Sequence, residues 1–80
     1  MTEYDNIKNR YISTIHLGLT MGVNYNEAKN GNELLHKFCE SLIDNSIYTD
    51  ADKKAMKYDL KITKEVLTKE IETFYQKNHF

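Results

Sequence analysis

The sequence contains no proline, no tryptophan, a single cysteine and three glycines among 80 residues. Without proline, nothing in the chain interior removes a backbone donor and forces a helix to kink. With only Cys39, no internal disulfide can form. That excludes the stapled scaffolds of small secreted domains and fits a reducing, cytoplasmic setting. Long hydrophobic runs are missing too: the longest stretch without a charged side chain, Tyr11 to Asn26, covers 16 residues and includes His, Ser, Thr, Gly and Asn. It falls short of the ~20 apolar residues that cross a bilayer, and no basic leader precedes an apolar core, so neither a membrane span nor a signal peptide is expected. An excess of one charge is also absent, with 11 Lys/Arg against 12 Asp/Glu. That balance announces neither a polyanion-binding protein nor an acidic mimic of nucleic acid.

Reactive constellations are equally sparse. Gly18-Leu19-Thr20-Met21-Gly22 lacks the Gly-Lys-Ser/Thr ending of a phosphate loop and reads instead as a small-x-x-x-small packing pattern. His36 and Cys39 are three apart on a helical pattern, a spacing that suits two metal ligands, but only His16 and His79 could complete the set. Cys39 falls within a Leu/Phe stripe, where a free thiol behaves as a small apolar residue. No nucleophile with its base and no carboxylate pair can be assembled, so an enzyme, a metal and a cofactor are not expected.

What the sequence does contain is helical periodicity, most clearly from Thr49 onward. Thr49-Asp50-Ala51-Asp52 supplies a hydroxyl cap and two acids for the positive end of a helix dipole. At ~100° per residue, Met56, Leu60, Leu67, Ile71 and Phe74 share one arc about 60° wide, while Ala51, Ala55, Tyr58, Ile62 and Val66 form a second arc of about 80°. A helix with two apolar seams needs two surfaces to cover it. Its remaining face carries Lys54, Lys57, Lys61 and Lys64.

At the other end, Thr2-Glu3-Tyr4-Asp5 resembles a capped helix start, after which Tyr4, Ile7, Tyr11, Ile15 and Leu19 recur at helical spacing. A rival period runs through residues 15 to 25, where Ile15, Leu17, Leu19, Met21, Val23 and Tyr25 alternate with smaller or polar residues. Helix is preferred because a lone strand would leave backbone groups unpaired and no second strand is evident. Gly18 and Gly22 then fall on the Tyr11/Ile15 face, where another helix could approach closely. Residues 24 to 32, rich in Asn and Gly, read as a connection with at most one helical turn at 25 to 29. Asn32-Glu33 opens a second helix in which Leu34, Leu35, Phe38, Cys39, Leu42 and Ile43 cover about half the circumference.

The expected fold is one all-α domain over residues 1 to 80, a small bundle of three main helices at about 3-22, 33-44 and 50-77, completed by dimerisation if the second seam needs cover. An α+β arrangement with a short hairpin around 15-25 is the alternative. In the bundle, Met56, Leu60, Leu67, Ile71 and Phe74 are expected to pack on Leu34, Leu35, Phe38 and Leu42. The expected function is a non-enzymatic protein-protein interaction module, an adaptor, inhibitor or immunity-type factor of phage or mobile-element type, binding a larger protein. Tyr58, Ile62, Val66 and Tyr75 are its candidate contact residues, since tyrosine joins apolar area to a hydroxyl that stays wet. The alternative is a small DNA- or RNA-binding regulator using Lys54, Lys57, Lys61 and Lys64.

Overall fold

The computed structural model describes residues 3 to 77, within which lie three helices: α1 (Glu3–Met21), α2 (Tyr25–Asp44) and α3 (Asp50–Lys77). The described residues include no strand. Two of the sequence-level candidates, the Thr2 cap and His79, lie outside them.

Each helix boundary has a local cause. The α1 helix stops where the Gly22 N–H bonds Leu19 O at 3.3 Å and the Val23 N–H bonds Gly18 O at 3.2 Å. This crossed pair of bonds requires a left-handed residue at its centre, and Gly22 has φ +85°. The alternating pattern over 15 to 25 is therefore a helix running into a turn, and no hairpin forms. Nor do the two glycines admit a neighbouring helix: a Cβ on Gly18 would meet Val23 at 3.7 Å, and one on Gly22 would meet nothing.

The α2 helix begins eight residues earlier than its periodicity predicts. Asn24 Oδ1 accepts from the Glu27 N–H at 2.8 Å, and Glu27 Oε1 accepts from the Asn24 N–H at 3.3 Å. This reciprocal box satisfies two amides that would otherwise be orphaned. The asparagine-rich segment 24 to 32 is thus a capped helix start, not a loop. For α3 the expected cap is present, with Thr49 Oγ1 accepting from the Asp52 N–H at 3.2 Å.

Contacts between the helices fix an up-down-up bundle. Lys8 pairs with Asp59 at 2.9 Å and His16 with Glu70 at 2.8 Å, so α1 runs parallel to α3. Glu33 faces Lys64 and Asp44 faces Lys57, so α2 runs antiparallel to it. The core takes Tyr4, Tyr11, Ile15 and Leu19 from α1, Ala28, Cys39 and Ile43 from α2, and Leu60, Leu67 and Ile71 from α3. Met56 and Phe74 pack against its ends, so the first seam of α3 is the one that faces inward.

The face of α2 is not the expected one. Leu34, Phe38 and Leu42 are 67, 60 and 39% exposed, and of the predicted four only Leu35 packs against the core. The buried side is Ala28, Asn32, His36, Cys39 and Ile43, a stripe that runs the whole length of the longer helix. Two sets of polar contacts hold α2 in this rotation. Asn32 accepts from the Tyr11 hydroxyl and donates through Nδ2 to Thr68 Oγ1 at 3.1 Å and to Lys64 O at 3.3 Å. Glu33 and Asp44 reach the lysines of α3. Turning Leu34 and Phe38 inward would swing Asn32 out of the core and leave the Tyr11 hydroxyl with a poorer partner, at the usual cost of a buried unsatisfied donor.

Candidate interaction surface

The rotation of α2 builds a surface that the periodicity of α3 does not reveal. On α1, the outward flank carries Arg10, Thr14, Leu17 and Met21, spaced four, three and four residues apart and so aligned along one side of the helix. On α2, Leu34, Phe38 and Leu42 are aligned in the same way. The flanks that hold Lys8, His16, Glu33 and Asp44 face α3. The apolar stripes therefore border the opposite side of the α1/α2 pair, away from α3.

Between the stripes lies a cleft of about 230 Å³, walled by Ile7, Arg10 and Thr14 on one helix and by Leu35, Phe38 and Leu42 on the other. Its floor is formed by Tyr11 and Cys39, which are 1 and 3% exposed. Among the described residues, Arg10 is the only charged side chain in the lining. Beyond the cleft, Leu17 is 58% and Met21 74% exposed. Both lie on the same flank of α1 as Arg10 and Thr14, one and two turns further along the helix.

The flank of α3 proposed from sequence is exposed as well. Tyr58, Ile62 and Val66 are 67, 42 and 50% accessible, and α1 does not close over them. Tyr75 is different: it is partly buried, donates its hydroxyl to Val23 O, and meets Tyr25 and Phe74 edge-on at centroid distances of 5.6 and 5.1 Å. Its polar end secures the α1/α2 turn. Tyr4 is used similarly, donating to Asp59.

Neither the family models, nor the curated proteins, nor the solved structures contain a match to this chain. The surface must therefore be interpreted from its own chemistry.

The lysine ridge is split. Lys57 pairs with Asp44 at 3.0 Å and Lys64 lies 3.6 Å from Glu33, whereas Lys54 and Lys61 extend into solvent. His36 and Cys39 do sit together on the buried side of α2, but no group of three or more His, Cys, Asp or Glu side chains able to hold a metal gathers among the described residues. Burial pushes the Cys39 thiol above its ordinary pKa, so the reactive thiolate is disfavoured. Burial also lowers the His36 pKa, opposed by Glu40 and Glu33 and assisted by Lys64. His36 Nδ1 lies 3.6 Å from Glu40 Oε1, and its buried Nε2 has no partner among the described residues.

The signal for the α1/α2 surface was present in the sequence as the breadth of the apolar arc on α2. An arc of half a circumference exceeds what one neighbouring helix can cover. Which half stays outside depends on Asn32, whose place in the core follows from partners on two other helices.

Proposed function

We propose that this chain is a non-enzymatic protein-protein interaction module, a small cytoplasmic adaptor, inhibitor or immunity-type factor of the kind carried by phages and mobile elements, which docks on a larger protein. The observation that carries this reading is the arrangement of large hydrophobic side chains outside the core. Leu34, Phe38, Leu42, Leu17 and Met21 line one face, and Tyr58, Ile62 and Val66 another. Soluble monomers rarely leave contiguous apolar patches beyond a few hundred Å² without a use for them. A role without catalysis is supported by the buried, protonated state favoured for the Cys39 thiol.

Nucleic-acid binding through the lysines is the weaker reading. Two of the four charges are already engaged by carboxylates of α2, which reduces the number of phosphates the ridge could neutralise.

The test is site-specific photo-crosslinking in cells of the source organism, with the photoreactive residue placed at Leu34 in one variant and at Tyr58 in another. A stoichiometric adduct with one larger protein, abolished by a glutamate elsewhere on the same face, is the expected result. Absence of any discrete adduct from both positions would reject the interaction module.

A further inference from the structure

The interaction reading leaves the chemistry of the partner unspecified, and the α1/α2 cleft supplies it. Two antiparallel helices present a groove on each side of their plane. On one side α3 fills it. On the other, Ile7 and Leu42 at one end and Thr14 and Leu35 at the other leave a trough of about 230 Å³ with an apolar floor. The shape complementary to such a trough is another helix, packing ridges into grooves at the 8–10 Å separation usual for helix pairs.

Arg10 decides the charge of that helix. It is the sole charged side chain lining the trough and has no salt bridge among the described residues, whereas Lys8, Lys57 and Lys64 each face a carboxylate. A guanidinium at the edge of an apolar groove matches a carboxylate in bidentate fashion, and covering it without one would strand its charge. A second copy of the chain does not fit this requirement. A two-fold axis through the trough sets Arg10 of each copy over the Leu35 and Phe38 wall of the other, where the lining offers its charge no carboxylate. Seating the Tyr58/Ile62 flank of another copy there joins two faces that point in opposite directions on the bundle, which gives an open chain of subunits instead of a closed pair.

We infer that the α1/α2 cleft receives an acidic amphipathic helix of the partner protein, its apolar stripe seated on Phe38 and Leu42 and an Asp or Glu at the stripe's edge paired with Arg10. This rests on the interaction reading and specifies one occupant for one of the two exposed faces.

The experiment uses a displayed library of helical peptides of roughly five turns. The peptides carry a fixed apolar stripe and randomised flanking positions, and they are selected against the full chain. Binding is then measured by fluorescence anisotropy, with the oligomeric state followed by sedimentation equilibrium. The expected result is enrichment of Asp or Glu at one flanking position and a monomeric chain. Affinity falls by about tenfold or more in Phe38→Glu and in Arg10→Glu, and is regained on Arg10→Glu when the peptide acid is changed to Lys. Ile62→Glu leaves binding unchanged. Leu34→Glu repeats the test at a second exposed position, and far-UV circular dichroism establishes that each variant is folded. Three results overturn the inference: no enrichment, enrichment indifferent to charge or favouring Lys, or a dimer dissolved by Phe38→Glu. The wider interaction reading survives these if photo-crosslinks persist from Tyr58, and falls with them if no adduct forms from either face.

Discussion

The Tyr11 hydroxyl on α1 donates to the side-chain oxygen of Asn32 on α2, in the buried centre of the bundle. Because Asn32 also donates to Thr68 on α3 at 3.1 Å, one amide connects all three helices. Asn32→Ala is expected to cost about 1–3 kcal/mol, by leaving buried hydrogen-bonding groups without their best partner. Combining Tyr11→Phe with Asn32→Leu should cost less than the sum of the single changes, since both polar ends are then removed together. Urea titration of the four proteins measures this. Strict additivity would mean the pair makes no specific contribution.

The rotation of α2 makes a second prediction that needs only stability data. Phe38→Ser removes a large aromatic from a position 60% exposed and should change stability by within about 0.5 kcal/mol. Leu60→Ala, at a fully buried site, should cost about 2–5 kcal/mol. If Phe38→Ser proved as damaging as Leu60→Ala, the aromatic ring would belong to the core and the cleft would not exist as described.

These two contrasts also mark where the sequence was informative. The buried stripe of α1 could be read directly because its apolar residues share one direction, and the inward seam of α3 because Met56, Leu60, Leu67, Ile71 and Phe74 are the larger side chains and crowd the narrower of its two apolar arcs. Thr49 likewise announced its cap. For α2 the breadth of the apolar arc left its rotation undetermined. Asn32 reads as turn chemistry until Tyr11 and Thr68 are brought beside it by the fold. The asparagines at 24, 26 and 30 disguised a capping box whose second half, Glu27, lies one helical turn on. Tyr75 looked like a wet contact residue since its partner, Val23 O, lies 52 positions away.

Acid should destabilise the protein in two steps. Burial lowers the His36 pKa in the folded chain, so the unfolded chain binds this proton first. The stability it supports is present above about pH 6.5 and is lost as pH falls from there through the lowered folded value. Asp59 acts further down: hydrogen bonds from Tyr4 and then Lys8 hold its carboxyl below the ordinary range. Its contribution is present above about pH 3.9 and disappears as pH falls through the folded value. Urea midpoints recorded from pH 7.5 to 3 should show the upper step vanish in His36→Leu and the lower step shrink in Asp59→Asn.

Two glycines should respond in opposite directions to alanine. Gly31 lies within α2 with open space where a Cβ would project, so Gly31→Ala should stabilise by about 0.5–1 kcal/mol through helix propensity. Gly22 has φ +85°, and Gly22→Ala should destabilise by about 1–2 kcal/mol because a side chain there opposes the left-handed backbone. Thermal unfolding midpoints of the two variants provide the check.

The tight corner at Gly22 and the short one after Asp44 place each helix beside its neighbour in sequence, so most of the bundle's contacts join segments that meet early along the chain. Closing such small loops costs little entropy, and topologies dominated by nearby pairings assemble in microseconds to milliseconds. With no prolyl bond to isomerise, stopped-flow refolding should show one rapid phase and no slow tail. A domain that re-forms this quickly can be released unfolded and regain its shape within milliseconds.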